Sequence, residues 1–301
     1  MQPELWNAQA FLGLTELRLG HRASAERLLE KSFHRLHDAS LSHQAGSALI
    51  SIYYESGKLD KVVNVLRSLE RPKEDSPDLL YIAYRAYSDL AARALSSLAQ
   101  VAPESGQMHQ ILAHILANQD DCQGAIAQYQ QALKLDPELP GIHAELGEMI
   151  LSTSNTEAAR ADAEKEFHRD LAAHPTNAFS EYMLGEIEWL RFHAEATLEH
   201  DLHAVELNQQ FADAHIAAGK ALTALGRLDE AVVQLSDAVR FDPRNDVAHY
   251  RLAQAYQKLG RANDAVREMA EFKELRDSHA PVQALFQQVI KKPAAHEKLD
   301  E

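Results

Sequence analysis

Residues of matching size recur at offsets of 34 positions, and no other feature narrows the fold as much. Two prolines close apolar runs, in Leu135-Asp136-Pro137 and Phe241-Asp242-Pro243. With each proline set as position 32, one frame opens at Gly106. It carries Leu112 at 7, Ala113 at 8, Ala125 at 20, Tyr129 at 24 and Ala132 at 27. The frame opening at Ala212 has Ala218, Gly219, Ala231, Leu235 and Ala238 at the same places. The next opens at Asp246, with Leu252, Ala253, Tyr256, Ala265 and Met269.

The spacing has a physical cause. Small residues at 8 and 20 let two helices of one unit approach closely, and Ala at 27 admits the next unit. Bulky residues at 7 and 24 fill the space between. Proline at 32 has no N–H and disfavours helical geometry before it, so it ends the second helix. Gly20, Gly57, Gly226 and Gly260 all fall at position 15, where a left-handed residue closes the first helix.

The set of positions resembles the tetratricopeptide repeat, a helix-turn-helix unit. Repeats start near residues 6, 43, 77, 106, 140, 178, 212 and 246. The unit from Pro77 is about five residues short, with Ala91, Leu95 and Pro103 arriving early. The unit from Pro140 carries a four-residue insertion around Ser152-Thr153-Ser154-Asn155. The unit from Ala178 departs furthest, with Asp201 at 24 and Gln209 where proline is expected. The resemblance implies an all-α fold: an α-solenoid, a right-handed superhelix of about eight hairpins. Residues 1–290 are expected to form a single array. Val282, Leu285, Phe286 and Val289 share one face of a capping helix expected over 281–290, before a polar tail at 291–301.

Composition fits this reading. Only 12 glycines and 10 prolines disfavour a turn-rich β fold, and 46% hydrophobic residues suffice for a core. A length of 301 suits about two globular domains or one elongated array. The net charge of −15 argues against nucleic acid and anionic membranes, and favours a neutral or basic partner. No apolar stretch is long enough to span a bilayer. Gln2-Pro3-Glu4-Leu5 resembles Asp136-Pro137-Glu138-Leu139, so Pro3 reads as the end of a preceding repeat. The sequence then reads as a piece of a longer repeat protein. The absence of a signal peptide carries no information, and the compartment stays open between cytoplasmic and exported or periplasmic. The first helix, at Trp6, would then leave an apolar end open to self-association.

Patterns of catalysis are absent: there is no phosphate-binding glycine loop, no His-Glu-x-x-His and no Gly-x-Ser-x-Gly. No cofactor is implied. His34/His37 and His200/His203 are i, i+3 pairs, too few ligands for a metal site, and read as surface histidines. His109, His143, His215 and His249 all fall at position 4 and read as interhelix packing groups. Cys122 lies beside Asp120 and Asp121, which disfavour a reactive thiolate.

In the family, the first helix of each unit lines the concave face, through positions 2, 5, 9, 12 and 13. The resemblance therefore implies a groove containing Tyr81, Arg85, His114, Glu148, Phe179, Tyr182, Glu186, Trp189, Lys220, Tyr250 and Gln254. Tyrosine and tryptophan give contact area with a polar handle. Positions 2 and 6 lack the Lys and Asn of chaperone-tail clamps. The expectation is a non-catalytic scaffold that binds a peptide or protein segment. The alternative is the substrate-recruiting or regulatory repeat region of a larger enzyme or assembly.

Overall fold

A computed structural model describes residues 3–69 and 77–291. Among these residues there are fifteen helices and no strand. The chain divides into two compact units, Met1–Pro103 and Glu104–Glu301. The first holds α1 (Pro3–Arg18), α2 (Arg22–Phe33), α3 (Ala39–Glu55), α4 (Leu59–Leu69) and α5 (Pro77–Val101). The second holds α6 (Gly106–Asn118), α7 (Cys122–Leu135), α8 (Ile142–Thr153), α9 (Glu157–Ala173) and α10 (Ala178–Leu190). It continues with α11 (Ala194–Leu207), α12 (Ala212–Ala224), α13 (Leu228–Phe241), α14 (Asp246–Lys258) and α15 (Ala262–Lys291). Within each unit the helices stack as successive hairpins, an α-solenoid arrangement.

The hairpin turns follow from position 15. Gly20, Gly57, Gly226 and Gly260 have φ between +69° and +84°, and Asp120 and Phe192 take the same place at +66° and +65°. The next amide then donates back to the first helix, as from Arg227 to the Leu222 carbonyl at 2.9 Å and from His193 to the Glu188 carbonyl at 3.0 Å. These bonds satisfy carbonyls that the helix end would otherwise leave unpaired. Side-chain caps start the following helices: Asn245 accepts from the Ala248 amide and Asp121 from the Gly124 amide.

The unit from Pro77 departs from expectation. Its short hairpin is instead one 25-residue helix, α5. Ala91 occupies position 15, and Ser88 to Leu95 contains no glycine or proline, so nothing stops the helix. The helix expected to open at Pro281 likewise has no separate start: α15 runs through Pro281 to Lys291. The side chains of its expected capping face lie outside the described residues, as does the tail beyond Lys291. The Trp6 ring itself is not exposed at the start of the first helix. It is buried in the first unit's core, with the Arg35 guanidinium 4.2 Å over its ring. Leu5, Phe11 and Leu12 on α1, and Leu19 in the turn that follows it, are exposed.

Inside each hairpin the small residues do what the spacing requires. Ala25, Ala125, Ala163 and Ala231 at position 20 are fully buried. A Cβ added at Gly13 or Gly147 would fall within 3 Å of Leu29 or Phe167 on the second helix, and one at Gly219 would run into Leu235. A second pairing clasps the hairpins of the second unit. Position 4 bonds to position 23, 19 places on in His109 to Gln128, His215 to Gln234 and His249 to Glu268, and 23 places on in His143 to Glu166, where the four-residue insertion intervenes, at 2.7–2.8 Å. The unit from Ala178 reverses the pair, with Glu181 against His200 at 2.9 Å.

Candidate functional site

The first helices α10, α12 and α14 lie side by side in the second unit. Asn177 caps α10 through the Phe179 amide, and helical spacing then puts Phe179, Tyr182, Glu186 and Trp189 on one side of it. Tyr182 meets Phe211 edge-on with centroids 5.3 Å apart, and Phe179 lies against it at 6.4 Å. Burial, followed by the charges of Glu186, Asp213 and Asp201, pushes the Tyr182 hydroxyl well above the usual tyrosine range. It is therefore a neutral phenol. Glu186 and Lys220 share position 9 in successive repeats. The Lys220 ammonium bonds to Glu186 Oε1 at 2.8 Å and lies 4.4 Å from the Trp189 ring centroid. An ammonium held between carboxylate and indole fixes the indole's orientation.

Two adjoining cavities open on this face. One, of about 300 Å³, is lined by Trp189, Lys220, Thr223, Ala224, Arg251, Gln254, Gln257 and Lys258. The other, of about 220 Å³, is lined chiefly by Tyr182, Glu186, Asp213, Ile216, Lys220 and Arg251. Lys220 and Arg251 border both. Burial raises the Asp213 carboxyl above the usual range, with Asp242 and Glu186 adding to the effect.

Beneath α10 lies Asp201, fully buried on α11, with no hydrogen-bond partner for either carboxylate oxygen. Burial first, then Glu186, pushes its carboxyl up to about 8, against the pull of Lys220. An uncompensated buried carboxylate is costly, so the group keeps its proton at neutral pH.

The residues expected to share one groove are divided. Tyr182, Glu186, Trp189, Lys220 and Gln254 line the two cavities, and Phe179 flanks Tyr182. Tyr250 stands behind them, packed on Phe272, its hydroxyl accepting from the Gln254 amide at 2.9 Å. His114 bonds to Glu145 at 2.9 Å and meets Tyr129 edge-on, while Glu148 is exposed on α8. Tyr81 and Arg85 belong to α5 in the first unit, where the Arg85 guanidinium lies 4.8 Å over Tyr54.

Sequence reasoning passed over Asp213, Thr223, Gln257 and Lys258, although they hold positions 2, 12, 12 and 13 of their repeats. Aromatic character drew the choice, and the signal was the position alone. Arg251, at position 6, was read only against the chaperone-tail pattern. Of the histidine pairs, His34 and His37 are exposed. His200 and His203 both hold Glu181, at 2.9 and 3.1 Å. Among the described residues no group of three or more His, Cys, Asp or Glu is placed to hold a metal. No helix among them is long and apolar enough to cross a membrane.

A family model described as a TPR repeat matches residues 113–150 and 219–260, which include α12 and α14. The inactive TPR repeat-containing thioredoxin TTL3 of Arabidopsis thaliana is 55% identical over 47 residues, 16% of this chain and 7% of its own length. TPR repeat-containing thioredoxin TTL4 of the same plant is 40% identical over 77 residues, 26% of this chain and 11% of its own. The chain thus spans only a small part of the curated relatives that it matches. Among solved structures, MamA of Desulfovibrio magneticus RS-1, from residue 41 to its end, aligns with a TM-score of 0.50 at 15% identity. That alignment covers 57% of this chain and 96% of that one. A MamA RS-1 double mutant gives 0.51 at 15%, over 58% and 96%. At this identity the likeness is one of fold.

Proposed function

We propose, the chain being a tetratricopeptide-repeat protein, that its second unit is a non-catalytic scaffold holding a peptide or protein segment along the face of α10, α12 and α14. The fold supports protein–protein interaction as a class; the placement on this face is our own reading. The observation that carries it is the pair of adjoining cavities walled by half-buried Tyr182 and Trp189. Their aromatic rings are fixed before any partner arrives, Trp189 by Lys220 and Tyr182 by Phe211. Pre-ordered aromatic groups lose little side-chain freedom on binding. The buried Asp201 supports the same reading, since stability given up beneath one face is a common mark of a site under functional constraint.

A pull-down with the full chain as bait tests this. Partner capture should fall at least about tenfold with Trp189→Ala and with Tyr182→Ala, the span expected of aromatic anchors. Helical content should be unchanged by circular dichroism. Undiminished capture by both variants would move the interaction off this face.

The thioredoxin-named relatives favour a second reading, in which the repeats recruit substrate for a catalytic part elsewhere in a longer chain or assembly. The reading of the complete transcript separates the two.

A further inference from the structure

The net charge of −15 sets the long-range field, but the larger cavity has the opposite local sign. Its walls hold three cations, Lys220, Arg251 and Lys258, and no carboxylate. Of the remaining polar walls, Gln254 and Gln257 supply amide donors, while the Thr223 hydroxyl is already given to the Gly219 carbonyl. Lys220 is already paired with Glu186. The other two cations have no ion-pair partner among the described residues. Arg251 gives one guanidinium nitrogen to the neutral Gln254 amide at 3.3 Å, and its Nε is buried without a partner. The Nη groups of this guanidinium, of which only one is engaged, can give two parallel bonds to a carboxylate.

We infer that this cavity docks an acidic peptide segment, with side-chain carboxylates received by Arg251 and Lys258 beside the Trp189 indole. The inference rests on the proposed binding face and names the chemistry of its occupant. The spacing of the cations sets the register. Arg251 and Lys258 are two helical turns apart on α14, about 10 Å along its axis at 1.5 Å per residue. One carboxylate cannot serve both. A segment in the polyproline II conformation advances about 3.1 Å per residue and turns once every three residues, so two acidic residues three positions apart face the same side and match the gap. This spacing favours internal side chains over a single terminal carboxylate. The smaller cavity, with Glu186 and Asp213 among its walls, disfavours a third acid on that side and orients the segment.

The test is an array of 12-residue peptides with acetylated and amidated ends, randomised in charge and probed with the full chain. A parallel set has free C-termini. Capped peptides with Asp or Glu about three residues apart should be enriched. Their affinity should fall at least about tenfold in Arg251→Gln combined with Lys258→Gln, and should weaken as salt rises. The charge-keeping variant Arg251→Lys should lose the paired contact yet keep the charge, and so weaken binding less than Arg251→Gln does. Enrichment of basic or uncharged peptides that is lost in Trp189→Ala would overturn the acidic occupant and leave the binding face standing. Enrichment only with free C-termini would overturn the side-chain assignment. Enrichment insensitive to Trp189→Ala, or none at all, would remove both the occupant and the face.

Discussion

The repeats from Ala178 and from Ala212 have the same length and opposite manners. Their first helices are both 13 residues long and their second helices both 14. Each has glycine at position 8 closing on position 24 of its partner helix. In the later repeat that partner is Leu235, a fully buried apolar group. In the earlier one it is Asp201, equally buried and unpaired. Position 20 is Ala231 in one and Thr197 in the other, whose hydroxyl turns back to the His193 carbonyl at 3.0 Å. The turn residue is Gly226 in one and Phe192, 92% exposed, in the other. Proline at 32 is kept only in the later repeat. The hairpin therefore does not depend on any one of these groups. Close approach at Gly185 and Gly219, and a left-handed residue in the turn, are enough to hold its shape, while the other positions set how much stability it retains.

The largest effect is expected from Asp201→Leu, which gives the earlier repeat the residue of the later one. Burying the leucine and removing the carboxyl should together stabilise by at least about 5 kcal/mol at pH 8. The sign follows from proton binding. The unfolded carboxyl releases its proton near 4 and the folded one at about 8, so the folded state holds the extra proton between these values. The contribution of this group to stability is thus highest below pH 4 and declines until about pH 8. The variant lacks that slope, so its advantage should widen from pH 4 to pH 8 and then stay level. Urea denaturation at several pH values measures it, and an advantage independent of pH would show that Asp201 titrates normally.

Gly219→Ala comes next. Its Cβ has no room beside Leu235, and overpacking should cost about 1–3 kcal/mol. Gly185→Ala meets the short Asp201 side chain, whose terminal oxygens move more readily, so it should cost less. Equal losses in thermal melts would mean that the two hairpins pack alike.

Phe192→Gly should stabilise by about 1 kcal/mol, because a bulky residue pays for φ of +65° and glycine does not. Gly226→Phe should do the reverse in the later repeat. Melting temperatures that shift in the same direction for both would break the equivalence of the two turns.

The smallest effect is expected from turning the Glu181–His200 pair into its neighbour's arrangement with Glu181→His and His200→Gln. One neutral hydrogen bond replaces a partly exposed His–carboxylate bond, so stability should change by less than about 1 kcal/mol. A larger loss would point to the contact of His203 with Glu181, which the swap also removes.

The hairpin turns were legible because each rests on a few residues within one 34-residue window. Position 15 was legible at its glycines and silent at Asp120 and Phe192, which adopt the same backbone at a strain that spacing does not reveal. The same frame misread residues 77–101, where matching small residues were present but no breaker interrupted α5. The couple between positions 4 and 23 was visible in outline, since His109, His143, His215 and His249 share one position, but its far end alternates between Gln and Glu and so forms no single recurring residue.

The sequence alone determined that this is a chain of helical hairpins, because small, large and helix-ending residues act on neighbours and their pattern repeats. Only the tertiary structure decided which first-helix residues meet across repeats: Lys220 against Glu186 and Trp189, and Arg251 without an acid. It also decided that Asp201 stays protonated. Those outcomes depend on burial and on which charges are left unpaired, and both are set by contacts between residues far apart in the chain.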